Sequence, residues 1–241
     1  HRTDGLHFDY GIFTNISPDH IGPGEHADFE EYLYYKTRLL NMCRIGLVNK
    51  DDEHAEQITK AADCELYTYS EKGKEADFSA SDIRYVSQPD FVGTEFHISG
   101  KYDMEVRLGI PGLFNVVNAL AAVSVCSFLD LDKEKISHAL EHIRVNGRME
   151  IVYTSERCTV LVDYAHNAVS MESLLSTLRD YKPKRLVCVF GCGGNRSKDR
   201  RYSMGEIGGK LADLSIITAD NSRYEKVEDI IADIRGSIEK T

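Results

Sequence analysis

Positive charge is what this sequence has too little of. Its 241 residues carry 29 Lys and Arg against 39 Asp and Glu, a formal net charge of −10. General nucleic-acid binding needs a basic face to neutralise phosphates, so nucleic acid is excluded as a partner. No apolar run is long enough to span a bilayer, and the opening stretch HRTDGLHFDY lacks the apolar core of a signal peptide. The expectation is a cytoplasmic protein without membrane insertion. The six cysteines, at 43, 64, 126, 158, 188 and 192, show no zinc-knuckle spacing, so reduced thiols are the default. There is no G-x-x-x-x-G-K-[ST] phosphate loop, no internal repeat and no low-complexity stretch.

What is present is an α/β pattern long enough for one large or two ordinary domains. GIFTNI, RIGLVNK and CELYTYS read as short strands, with helices predicted over 28–40 and 52–62. FVGTEFHISG and YDMEVRLGI alternate in polarity about Gly100-Lys101, a β-hairpin signature. NVVNALAAVSVCSFLDL reads as a strong helix, and another follows over 133–143. After the connector RVNGRME the pattern becomes strand, helix, strand, helix: TVLVDYA, VSMESLLSTLRDY, RLVCVFG, YSMGEIGGKLA, LSIITAD and KVEDIIADIRGSIEK. This spacing predicts three parallel βα units, a Rossmann-like arrangement with loops at the carboxyl ends of buried strands. Ligands bind just beyond such ends. The domain boundary falls between 149 and 150.

Several constellations carry chemistry. In DFEEYLYYKTRLL, helical spacing puts Lys36 on a stripe with Phe29, Leu33 and Leu40. A lysine there either snorkels to water or is held as a neutral amine. Asp19 and His20 sit at a strand-to-loop junction and suit either solvent or a divalent cation. Asn115 and Asn118, three apart at a helix start, suit capping or the edge of an adenine. GCGGNRSKDRR crowds Arg196, Lys198, Arg200 and Arg201 after a glycine-rich turn, in a pattern that suits a phosphate or carboxylate. DNSRYE offers Arg223 to a carboxylate and Asp220 and Asn221 to an amine. DYAHN places Asp163 and His166 at another strand end, where an Asx-turn is the structural alternative.

Taken in order, HR with FTN, DH, EEYLYYK, FNVVNALAA, GRME, DYAH, VFGCGGNR, YSMGEIG and DNSRYE resemble the Mur ligases, the amide-forming enzymes of peptidoglycan synthesis. The resemblance runs from end to end. It implies the later part of a central ATPase domain, residues 1–149, followed by part of a Rossmann-like C-terminal domain, residues 150–241. The expectation is a fragment lacking both ends and inactive alone. The implied reaction uses ATP and Mg²⁺ to join an amino acid, with meso-diaminopimelate favoured, to UDP-N-acetylmuramoyl-L-Ala-D-Glu through an acyl phosphate, in a monomer. Lys36 would act as a carbamate beside His20 on magnesium. Asn115, Asn118, Arg148, Asp163, His166, Lys198 and Arg200 would contact nucleotide. Arg2 would contact the UDP-sugar peptide, and Arg196, Asp220, Asn221, Ser222 and Arg223 the incoming amino acid. Ser222 stands where the family has proline, which loosens φ in that turn. The alternatives are a related ligase of folylpolyglutamate or cyanophycin type, and a non-catalytic regulatory protein on a decayed ligase fold.

Overall fold

The structure is a computed structural model that describes residues 5–17, 21 and 26–239. The chain divides into two compact units, His1–Arg144 and Val145–Thr241.

The first unit is built on a six-stranded sheet of β1 (Phe8–Phe13), β2 (Cys43–Asn49), β3 (Glu65–Ser70), β4 (Phe78–Gln88), β5 (Phe91–Gly100) and β6 (Met104–Leu108), in that spatial order. Strands β1 to β4 run parallel. Between β1 and β2 the chain passes through α1 (Phe29–Thr37) and a 3-10 turn (Arg38–Asn41), and α2 (Ala55–Lys60) lies between β2 and β3. Such crossovers are what parallel pairing requires. Ile45 to Asn49 of β2 are buried without interruption, as a strand covered on both faces must be. Phe13, Ile16, Leu33, Leu40, Val48 and Ile58 form the core beneath α1 and α2.

Strands β4, β5 and β6 are antiparallel, so the hairpin read at Gly100-Lys101 is present. Strand β4 was not legible in the sequence. A register shift between Ser81 and Arg84, with Asp82 at φ +53°, breaks the alternation that marks a strand. Two helices, α3 (Leu113–Phe128) and α4 (Lys133–Glu141), complete the unit.

The second unit contains a hairpin of β7 (Glu150–Thr154) and β8 (Thr159–Val162), and the parallel pair β9 (Val187–Phe190) and β10 (Leu214–Ile217). Helices α5 (Ala168–Asp180), α6 (Lys198–Leu211) and α7 (Val227–Ile238) accompany them. Met171, Leu175, Leu186, Met204, Ile230 and Ile234 make its core.

Two expectations are corrected here. TVLV does not open a parallel unit: it pairs antiparallel with EIVYT, whose first residue, Glu150, closes the connector RVNGRME. The strands are also not buried throughout. Cys188, Phe190 and Ile217 pack on the core, whereas Val160, Val162, Val187, Val189 and Ile216 are exposed. A continuous β-branched run marks strand propensity but does not say how many faces are covered.

Candidate active site

The carboxyl ends of β9 and β10 carry the loops GCGGNR and DNSRYE. They are laced together through the backbone. The Gly194 N–H donates to the Asn221 carbonyl at 2.8 Å, and the Tyr224 N–H donates to Asn195 Oδ1 at 3.2 Å. Glycine is required at 194, because a Cβ there would lie 1.8 Å from the Ser222 carbonyl oxygen. Asn195 and Arg223 both adopt φ +51°. Ser197 caps α6 by accepting the Asp199 N–H.

The basic residues of these loops fall into two groups. Arg201 belongs to α6 and is only 1% exposed. Its Nη2 donates to both Glu225 carboxylate oxygens at 2.8 Å, and its Nη1 donates to Asp233 Oδ2 at 2.9 Å. Lys198 also pairs with Asp233, at 3.2 Å. Arg196 and Arg223 are exposed and Arg200 half-buried, and none of the three forms an ion pair with a described residue. The four-cation loop is therefore corrected. Two of its cations already have carboxylates, and three guanidinium groups, counting Arg223, do not. Asp220 and Asn221 are exposed beside them, and Ser222 is half-buried.

A second cluster in the same unit surrounds Asp163. Its carboxylate accepts the Met149 N–H at 2.9 Å and the Ala165 N–H at 2.8 Å. The latter is the Asx-turn, so both oxygens serve the backbone. Beside it the Arg148 guanidinium lies 4.6 Å over the Tyr164 ring, and the His166 ring is 5.1 Å from the same tyrosine. All three side chains are exposed. Tyr164 escaped sequence reading. Its only signal was a large aromatic one residue beyond a strand-end aspartate. Asp163→Ala leaves two backbone donors without their acceptor and is expected to destabilise this unit by about 1.5–3 kcal/mol, measured by urea denaturation.

In the first unit, Lys36 departs from its expected setting. It is exposed, with Nζ 5.3 Å over the Tyr32 ring. The buried positions of α1 are Tyr32, Leu33 and Thr37. Thr37, four residues after Leu33, takes the inward place on this turn, its hydroxyl donating to the Leu33 carbonyl at 2.7 Å. The expected enclosure of Lys36 among Phe29, Leu33 and Leu40 is therefore not observed.

Asn115 is buried and donates from Nδ2 to the Pro111 carbonyl at 2.6 Å, while Asn118 is exposed. The cap of α3 is Gly112, at φ +104°, a conformation that suits glycine. Asn115 therefore ties down the helix entry. His20 and Arg2 lie outside the described residues.

Residues 1–126 match the family model described as the Mur ligase middle domain, and residues 147–241 the one described as the Mur ligase, glutamate ligase domain. The chain belongs to the Mur ligase family. This Mur ligase chain is 40% identical over 240 residues to a Clostridium acetobutylicum protein named UDP-N-acetylmuramoyl-L-alanyl-D-glutamate--2,6-diaminopimelate ligase 2, covering 99% of the chain and 48% of that protein. It spans about half the length of the curated relatives it matches. A solved structure of a ligase with the same printed function superposes with a TM-score of 0.71 at 30% identity, over 97% of this chain and 48% of that one. A folylpolyglutamate synthase of Mycobacterium tuberculosis solved with ADP reaches 0.69 at 19% identity, over 95% of this chain and 51% of that one, which shows a shared fold.

Among the described residues of this Mur ligase chain, no three His, Cys, Asp or Glu side chains converge to hold a metal, and Lys36 is exposed. The described residues alone do not fit Mg²⁺. No described helix is long and apolar enough to cross a membrane. All six cysteines are free. The closest thiols are Cys43 and Cys64, with sulfurs 3.8 Å apart, a pair hidden by their distance in sequence. Burial pushes the Cys192 thiol up, which disfavours a thiolate in the glycine loop.

Acid should loosen the second unit. Arg201 holds the Glu225 and Asp233 carboxyls below the usual range, and Arg179 does the same for Asp213. A depressed folded pKa contributes stability that is present above the unfolded value and lost as pH falls through the folded one. Urea midpoints should therefore be flat from neutrality to about pH 5 and fall below about pH 4. Asp213→Asn should reduce that fall, and an unchanged slope would argue against the Arg179 pair as a source.

Proposed function

We propose that the protein carrying this chain is an ATP-dependent amide ligase of the cytoplasm. It adds meso-diaminopimelate to UDP-N-acetylmuramoyl-L-Ala-D-Glu in peptidoglycan synthesis. The observation that carries the reading is the set of three arginines, Arg196, Arg200 and Arg223, which lack a carboxylate partner among the described residues at two laced strand-end loops. In a chain of net charge −10, guanidinium groups without such a partner support the reading of a local anion site. The names of its relatives supply the substrate class.

The reaction moves one phosphoryl group and leaves one new amide bond. The γ-phosphoryl of ATP passes to the terminal carboxylate of the UDP-sugar dipeptide, giving an acyl phosphate and ADP. The amine of the amino acid attacks the acyl carbon, loses a proton, and expels phosphate. Cationic side chains lower the barrier by meeting the charge on the transferring group. Arg200 and Lys198 are assigned to the nucleotide phosphates, with Lys198 shared with Asp233. Arg148, Asp163 and His166 are assigned to the ribose side, Asp163 by holding Met149 and Ala165 in place. Asn115 and Asn118 are assigned to the adenine region, with Asn118 exposed to meet it. Arg196, Asp220, Asn221, Ser222 and Arg223 receive the amino acid, and Arg2 the UDP-sugar peptide. Lys36 as a carbamate, and His20, as magnesium ligands in a monomer rest on the motif resemblance alone.

The intact gene product should release phosphate from ATP only when the UDP-sugar dipeptide and the amino acid are both present. Release should match amide formation mole for mole. Strong hydrolysis with neither substrate would overturn the ligase reading in favour of a regulatory ATPase.

A further inference from the structure

The buried guanidinium of Arg201 has no place in the chemistry above, yet it is the most heavily committed cation in the described chain. It donates twice to Glu225 and once to Asp233. Glu225 in turn accepts the Asn195 N–H through Oε1. Asn195 receives the Tyr224 N–H, and Gly194 bonds to Asn221. The chain of contacts therefore runs from inside α6 to the turn that carries Arg223 and the loop that carries Arg196. A planar guanidinium held by two carboxylates fixes direction as well as distance.

Its second consequence is electrostatic. Glu225 lies two residues from Arg223 in sequence, and its Oε1 is bonded to the backbone of the residue before Arg196. With Arg201 engaged, its charge is neutralised from within. Without Arg201 it would lose its guanidinium partner, keep only the Asn195 N–H, and be open to compete for Arg196 and Arg223 with any incoming carboxylate.

We propose that Arg201 and Glu225 are positioning residues for the amino-acid substrate. Together they clasp the DNSR turn to the GGNR loop. Arg201 also occupies Glu225, so that Arg196 and Arg223 stay open to the substrate carboxylates. The substrate half of this proposal rests on the ligase reading; the clasp does not.

The test uses the intact gene product. Arg201→Met should raise KM for the amino acid about tenfold to a hundredfold, as small misplacements at a site do, while KM for ATP stays within about twofold. If exposure of Glu225 is the cause, adding Glu225→Gln to Arg201→Met should recover most of the lost KM. Arg201→Lys, which keeps the charge without the fork, should lie between the two. Equal rises in both KM values, or a double variant no better than the single, would overturn the occupancy of Glu225 as the mechanism.

Amide hydrogen exchange supplies a readout independent of activity. The Gly194, Asn195 and Tyr224 amides should lose protection in Arg201→Met and, if that variant does not fold, in Arg201→Lys. Unchanged protection overturns the clasp. If wild type joins no amino acid to the UDP-sugar dipeptide, the ligase reading falls and the substrate half falls with it. Loss of protection at the three amides would then still sustain the clasp.

Discussion

If the intact gene product is the proposed ligase, Arg223→Ala should erase its preference for meso-diaminopimelate over L-lysine. Both amino acids carry an α-carboxylate, and only the diacid has a second carboxylate at its far end. The structure gives two guanidinium groups at the laced loops that could take one carboxylate each, Arg196 and Arg223. Neither has an ion-pair partner among the described residues. If Arg223 meets the distal carboxylate, its removal leaves that charge without its fork. By analogy with truncated charge pairs, the cost is about 2–5 kcal/mol, or some tens to thousands of fold in discrimination. If Arg196 meets the α-carboxylate, Arg196→Ala should weaken both amino acids alike and leave their ratio near wild type. Direct competition between the two amino acids separates these outcomes. A wild type that prefers lysine, or an Arg223→Ala variant that keeps its selectivity, would remove Arg223 as the selector. Ser222 bears on the result. Arg223 is at φ +51°, and no proline before it stiffens the turn, so the loop bonds to Asn195 and Gly194 carry that task.

The parts of the fold legible in the sequence are those where local signals agree. The crossover helices, the hairpin at Gly100 and the capped helices of the second unit all combine periodicity with turn or cap chemistry. Asn167 and Ser170, for example, form a reciprocal capping box, and that helix was read within a few residues of its bounds. Strand β4 failed because a bulge breaks its alternation. Strand β8 was seen, but its partner was misassigned. Pairing is a tertiary choice that a four-residue apolar run does not encode, and of EIVYT only Glu150 falls in the connector RVNGRME, while residues 151–154 carry no strand expectation.

The site was legible in its motifs and less so in how its residues are used. Residue type and spacing placed cations at the β9 end, but they could not say which were already neutralised. Glu225 and Asp233, which decide that, lie 24 and 32 residues beyond Arg201. At Lys36, helical spacing says which side chains share a stripe but not whether anything packs over them: Leu33, Thr37 and Leu40 are buried and Lys36, on the same helix as the first two, is exposed. Asp163 shows the reverse case. The Asx-turn and the functional reading both pointed to it, and its carboxylate holds the backbone at Met149 and Ala165.

Two adjacent glycines give the sharpest test of the laced loops. A Cβ at Gly194 would sit 1.8 Å from the Ser222 carbonyl oxygen and 2.6 Å from its carbon, whereas a Cβ at Gly193 meets nothing nearer than the Asn221 carbonyl oxygen at 3.6 Å. Backbone cannot rotate away as a side-chain tip can. Gly194→Ala must therefore push the DNSR turn off the GGNR loop, breaking the Gly194–Asn221 bond and straining the Tyr224–Asn195 bond beside it. The expected cost is about 3 kcal/mol, the upper end of overpacking penalties. Gly193→Ala adds one methyl at ordinary contact distance, and its effect should stay within about 0.5 kcal/mol. Urea denaturation of the two variants measures the difference. The same displacement moves Arg223 relative to Arg196, so Gly194→Ala should also raise the amino-acid KM far more than that for ATP. A Gly194→Ala variant as stable and as tightly binding as Gly193→Ala would mean that the two loops are not in the contact described. The arginine pair would then lose the support that sets its spacing.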